Sequence, residues 1–463
     1  MARDSQGLEV SNADATAIEA LDFLTAEWLA FGDRLPEFVA VADKEEQCAL
    51  LPLMAANLLL TLNSTAGYDL ARRHFARAEG LAKDGNPREH AWLAATSAWF
   101  AGERDRAQAI HEEMAGEWPH DLLSAKIGQL HALDRGDAKG ILRIGERILP
   151  ANRDNHYVWA MLAFGLEECH RLDEAEAHAR KAIDMERRDP WAHHVIAHCL
   201  EARGRMLEGV TFLQSMADTW ERCNSFMYTH NWWHLALFLI DLDRAEEALG
   251  LYDTRVWGVQ KDFAEDQINA VSLLARLELR GVDVGQRWLD VAHYLEPRLH
   301  EHFTAFLDLH YLYGLARAGK QSAVTEMLAS LEDRAEQAKP AERAAWEDGA
   351  VPAAHGLAAY AKGDVAEAAR LLGRATPHLA AIGGSIAQRA LFGAIHLDAL
   401  VKAGWNDAAL AILQADDRER PTVPWTKRSL GHLYRRVGRT EQALAAEHQA
   451  EQLARRYDKG RPT

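Results

Sequence analysis

Cysteine is scarce in this chain of 463 residues. The four present, Cys48, Cys169, Cys199 and Cys223, form no CxxC pair and no dense framework, so disulfide stapling is not expected and the thiols fit a reducing compartment. Cys199, beside His198, reads as a small hydrophobe on a helix. Proline is also sparse, at 13 residues, while apolar residues make up 48% and charged ones 26%; that balance excludes a disordered chain and supplies a large core. Basic charge is in deficit, 52 Lys and Arg against 69 Asp and Glu, for a net charge of −17. A surface of that sign argues against phosphate-rich partners and anionic lipid, so neither nucleic acid nor membrane is expected as a partner. Long apolar runs are missing too. LLLTL at 58–62 and LALFLI at 235–240 are too short to span a bilayer, and MARDSQGLEVSNADATAIEA has no basic stretch followed by an apolar one; a cytoplasmic protein is expected. No phosphate loop, nucleophile elbow or dinucleotide-binding fingerprint occurs.

What the chain has is a period. GERDRAQAI from Gly102, RGDAKGIL from Arg135, HRLDEAEAHA from His170 and GRMLEGVTFL from Gly204 each close one apolar helical stretch and open another, recurring at about the 34-residue spacing of a tetratricopeptide repeat (TPR). WPHD (118–121), NRDN (152–155) and RRDP (187–190) mark where one helix pair gives way to the next. Asp121, Asp154 and Asp189 suit helix caps, and Pro119 and Pro190 suit first-turn positions. The period loosens after Gly258 and returns with turns at Gly319, Gly363, Gly404 and Gly438. Helical spacing of small and apolar residues without strand-like alternation predicts an all-α fold: a TPR-like α-solenoid of stacked antiparallel helix pairs in a right-handed superhelix, with a concave inner surface. Three stretches are expected: a less regular helical region at 1–85, repeats carrying histidine-rich helices at 86–258, and further repeats closing the array at 259–463. The polar stretch from Leu331 to Glu347, around Pro340, is the expected irregular connection.

Two adjacent repeats have unusual first helices, DPWAHHVIAHCLE (189–201) and MYTHNWWHLALFLI (227–240). His194 and His198 fall at i and i+4 on one helix face, with Glu201 beside them, and His230 and His234 repeat the arrangement one repeat later. Convergence of the pairs depends on register, since the offset between the helices is 36 residues by histidine and 39 by helix end. Neutral imidazoles at this spacing suit a divalent metal such as zinc, and a carboxylate from the same or a neighbouring helix can complete the set. The same groups without metal can serve as acid and base. The alternative is a packed inner face. Trp232 and Trp233 lie about 100° apart, so at most one lines a pocket. In FLDLHYLYG (306–314), Asp308 needs a His or Arg partner on so apolar a helix, and His310 follows two residues later. In AIGGSIAQRALF (381–392), a Gly-Gly-Ser turn enters a helix carrying Gln388 and Arg389. That turn reads either as an anion-receiving helix start or as an ordinary helix junction.

In order and spacing, DPWAHHVIAHCLE, HNWWHLALFLIDLDRAEEALGLYD, GVDVGQRWLDV and IGGSIAQR resemble the tetratricopeptide repeat protein 38 family, from about Arg88 to beyond Arg389; the HN-aromatic-WH element is the most specific part. The resemblance implies an α-helical repeat fold and points to His194, His198, Glu201, His230, Asn231, Trp233, His234, Asp308, His310, Gln388 and Arg389 as the family-like polar set. The chain departs from the pattern at Asn269 and Ala390, where some relatives carry aspartate. The leading expectation is a histidine-rich concave pocket that binds a small molecule or peptide and hydrolyses it. His194, His198, His230 and His234 would act as metal ligands or acid/base groups, Glu201 and Asp308 would orient them, His310 would stand with them, Asn231, Trp233 and Gln388 would contact the ligand, and Arg389 would receive a substrate carboxylate. The alternative is a non-catalytic TPR scaffold that holds a partner protein or peptide.

Overall fold

The turns carry the repeat. In the computed structural model, which describes residues 2–459, the backbone is left-handed at Gly102, Gly136 and Gly204, with φ of 68°, 67° and 68°, and at His170, with φ of 58°. These positions follow one another at 34 residues. A turn of this kind lets the second helix of a pair fold back on the first, and glycine enters it without the steric cost that a β-carbon brings. Gly319, Gly363, Gly404 and Gly438 do the same further along, and Asp243, at φ 63°, takes the equivalent place in LDRAEEAL.

Among the described residues, twenty-four α-helices follow one another, and the only strands are Ala2–Arg3 and Glu9–Val10, paired antiparallel. Asp121 caps helix Leu122–Asp134 by accepting the Ser124 N–H, and Asp189 caps Pro190–Ala202 by accepting those of Trp191 and Ala192. Asp154 does not cap. Helix His156–Glu168 begins one residue later than the spacing predicts, and Asn155 accepts the Tyr157 N–H instead. Pro119 lies in the turn before Asp121 rather than in a first helical turn, whereas Pro190 opens its helix. Within 331–347, helix Gln321–Glu336 continues through the first six residues and irregular backbone is confined to 337–342. The first 85 residues hold helices Ala15–Leu29, Leu35–Ala42, Leu50–Leu60 and Thr65–Leu81.

The chain forms two compact units, Met1–Ile196 with Thr219–Met227, and Ala197–Asp218 with Tyr228–Thr463. This division follows spatial contacts, where the three stretches read from the sequence follow regularity of period. In the first unit, helices Ala138–Ile148 and His156–Glu168 cross so closely that a β-carbon on Gly165 would lie 2.6 Å from the Leu142 backbone. The core there includes Leu51, Leu53, Trp92, Ile144 and Val158, all essentially inaccessible. In the second unit Phe238, Leu273, Leu309, Leu312, Leu357 and Phe392 do the same work, each contributing roughly 1.5–3 kcal/mol by leaving water. Its last repeats return to its first: Thr422 Oγ donates to the Gly204 carbonyl at 2.6 Å, Arg420 lies 3.2 Å from Asp241, the Arg280 guanidinium sits 3.8 Å over Trp425, and Arg276 donates to the Ala387 carbonyl at 2.9 Å. Each unit is an all-α, TPR-like solenoid of stacked helix pairs. Among the described residues, no helix is long and apolar enough to cross a membrane.

Candidate functional site

Helices Pro190–Ala202, Ser225–Asp241 and Ala264–Leu279 are first helices of successive repeats, so their inner faces meet. In the second unit this brings three predicted histidines together. The rings of His198 and His234 lie 4.8 Å apart and those of His230 and His234 4.7 Å apart, and ligating nitrogens of His198, His230 and His234 lie within 4.8 Å of one another. All three are at most 2% exposed. Glu201 joins them, its Oε2 3.7 Å from His234 Nδ1. His194 stands one turn before His198 on the same helix face, in the last turn counted with the first unit, where its ring stacks on Trp191 at 4.5 Å.

The register resolves on both offsets. His198 meets His234, 36 residues on, while His230 meets Asn269, 39 residues on, with Nδ1 3.0 Å from Asn269 Oδ1. Asn269 Nδ2 donates to Thr229 Oγ (3.3 Å), which donates to Asp266 (3.1 Å). This chain fixes the amide: its oxygen faces His230, so His230 carries its proton on Nδ1 and presents a lone pair on Nε2. Burial pushes the His230 imidazole down to about 3, against the smaller upward pull of Asn269, so the ring is neutral, as a metal ligand must be. Glu201 is held above its ordinary range by burial, opposed by the positive charges of Arg276 and Arg420. Asn269 was read from the sequence only as a departure from the family pattern, and the Thr229–Asp266 pair not at all; the 39-residue offset applied to His230 points to Asn269.

The tryptophans divide as helix geometry requires. Trp233 is fully buried and stacks on His230 at 5.0 Å and 10°, with the Arg276 guanidinium 5.8 Å from its ring centroid. Trp232 instead lies 5.0 Å from the Arg255 guanidinium. Asn231 is fully buried as well. Both side chains are therefore enclosed rather than exposed along a groove.

The remaining predicted residues are employed elsewhere. Asp308 does not orient the histidine cluster; its carboxylate faces His302 Nδ1 at 3.2 Å, because positions 308 and 310 point to different sides of helix Ala305–Arg317. His310 gives its Nδ1 to the Phe306 carbonyl at 2.8 Å and meets Phe306 and Phe392 edge-on. Burial lowers it to about 4. Gln388 and Ser385 form a capping box, each accepting the other's backbone N–H, which occupies the helix start. Arg389 donates to the carbonyls of Gly383 and Gly384. Its guanidinium thus braces the Gly-Gly turn.

The class defined by this fold and site is a TPR-like helical-repeat protein with a buried cluster of histidines. No family model matches the chain. Among solved structures it is similar to human IFIT1, in a dimer with PPP-AAAA (14% identity over 91% of this chain and 95% of that one, TM-score 0.40) and in a dimer with m7Gppp-AAAA (13%, over 91% and 95%, 0.40). It is likewise similar to an IFIT1 monomeric mutant with Gppp-AAAA, at 13% identity over 94% of this chain and all of that one, TM-score 0.40. Those structures hold PPP-AAAA, m7Gppp-AAAA and Gppp-AAAA. A net charge summed over a whole chain does not describe the charge of one groove, and the exclusion drawn from −17 does not stand.

Proposed function

We propose that the protein is a ligand-binding helical-repeat scaffold whose second unit holds a divalent metal ion, zinc by donor type, on His198, His230 and His234. The observation that supports this is the convergence of three buried imidazoles within 4.8 Å beside the Glu201 carboxylate. A tetrahedral ion with Zn–N bonds of about 2.0–2.1 Å sets nitrogens roughly 3.3 Å apart, so the rings need to draw in by up to about 1.5 Å, within the reach of side-chain rotation. Glu201 is the candidate for a remaining coordination position. Asn269 is the outer partner that fixes the His230 tautomer.

The role we assign is binding of a small molecule or peptide, which agrees with the scaffold alternative. Hydrolysis is the second reading; Glu201 favours it as a carboxylate beside the ligand set, available to accept a proton. We assign the chain to the neighbourhood of the tetratricopeptide repeat protein 38 family on its HNWWH element, two of whose residues are ligands here, and to the cytoplasm, where four free thiols stay reduced. Metal analysis of the full chain purified without chelator tests the proposal. One equivalent of metal is expected, lost in His230→Gln. A folded full chain that takes up neither zinc nor cobalt on dialysis would overturn it.

A further inference from the structure

The loop before helix Ala305–Arg317 builds a second histidine site that the cluster above does not use. His302 has a left-handed backbone, φ 49°, uncommon for a residue with a side chain, and this turns its ring between two partners. Its Nδ1 lies 3.2 Å from Asp308 Oδ2 and its Nε2 2.7 Å from Ser330 Oγ, on helix Gln321–Glu336. Asp308 accepts, so Nδ1 carries the proton and Nε2 offers its lone pair to the Ser330 hydroxyl, which donates. The side chains of His302 and Asp308 are 9% and 1% exposed, while Ser330 is half-buried and within reach of solvent.

His300 approaches the same oxygen from the other side, Nδ1 at 2.9 Å, with its Nε2 2.8 Å from Glu326. A hydroxyl has one proton to give. For both contacts to be hydrogen bonds, one imidazole must present an N–H to Oγ; His302 already holds its proton on Nδ1 against Asp308, so His300 Nδ1 is the donor. His302 is therefore left as the base. Arg334, one turn beyond Ser330 on the same helix face, adds a guanidinium that stacks on Trp346 at 4.6 Å, and Trp346 in turn stands edge-on to His302.

We propose that Ser330 is a nucleophile, activated by His302 and held in line by Asp308, that takes an acyl group from a small carboxylic ester. Ser330 Oγ bonds to the carbonyl carbon as its proton passes to His302 Nε2. The bond to the ester oxygen then breaks, and the leaving alcohol takes that proton. Water, giving its proton to the same nitrogen, releases the carboxylic acid and restores the serine hydroxyl. Asp308 is a positioning residue, keeping the Nδ1–H tautomer.

A fluorophosphonate probe on the full chain tests this, because Oγ displaces fluoride from phosphorus while His302 takes the hydroxyl proton. Mass spectrometry should place the adduct on Ser330, Ser330→Ala should lose it, and His302→Gln should slow labelling by about a hundredfold or more. Asp308→Asn should slow it as well while leaving circular dichroism unchanged. A folded wild-type chain that takes no label, labelling of equal rate in His302→Gln, or labelling that survives heat denaturation would each overturn the proposal.

Discussion

In the first unit His111 and His131 are fully buried on successive repeats, their rings 5.8 Å apart and nearly parallel. In the second, His198, His230 and His234 are equally buried on successive repeats. The surroundings differ. His111 shares a hydrogen bond with Ser124 at 2.9 Å, Trp92 and Trp99 press edge-on against the two rings, and neither His131 nitrogen has a hydrogen-bond partner among the described residues. The carboxylate nearest in influence, Asp121, is already taken by Arg88 and by the Trp92 indole N–H, both at 2.8 Å. In the second unit a carboxylate stands beside the rings and an amide fixes one tautomer. Burial neutralises imidazoles in both places; convergence of three nitrogens with an orienting partner is what separates the proposed ligand set from packing.

The largest contrast should come from removing one ring on each side. His234→Gln is expected to weaken zinc binding at least a hundredfold, and His131→Gln to leave it unchanged, by competition against a chromophoric chelator. Equal losses in both would erase the distinction. Acid should act on the first unit next. Burial holds His111 down at about 4 in the fold, against about 6.5 for a free imidazole. The unfolded chain therefore takes up the proton first as pH falls, and stability present above pH 6.5 is lost toward pH 4, by roughly 3 kcal/mol for this one group. Urea titrations read by Trp92 and Trp99 fluorescence should show that slope, and His111→Asn should flatten it.

A smaller effect is expected at Asn269. Alanine there frees the His230 tautomer and should lower zinc affinity about 10- to 100-fold without removing a ligand, measured in the same competition. An unchanged affinity would show that the amide holds the helices and not the ring. The smallest effect belongs to the surface: Arg370→Ala, which breaks an exposed i,i+3 pair with Glu367, should leave both melting temperature and zinc affinity where they were.

The fold was legible because its turns have a steric requirement. Left-handed backbone selects glycine, and glycine at 102, 136 and 204 shows the period; His170 and Asp243 occupy the same turn without announcing it. The caps were legible at Asp121 and Asp189, but at NRDN a one-residue shift moved the role from Asp154 to Asn155, which offers the backbone the same kind of acceptor. The histidine pairs could be found from i, i+4 spacing alone, whereas their meeting depended on inter-repeat register, set by side-chain packing along whole helices. Asn269 stood out only as a departure from the family pattern, and its contact with His230 depended on that register. Asp308 was correctly expected to need a cationic or imidazole partner, and the partner, His302, sits in an irregular loop where no period applies. Gln388 and Arg389 stood out as polar residues at a helix start and turned out to be spent on that start itself.

Cobalt(II) titration of the full chain tests the central claim most directly, because a tetrahedral nitrogen-rich site gives strong visible absorption that an octahedral surface site does not. The account predicts saturation at one equivalent, absorption lost in His198→Gln and His234→Gln, and absorption kept in His111→Asn. A folded chain whose spectrum stays weak and octahedral, or one in which the first-unit substitution alone removes the signal, would contradict it.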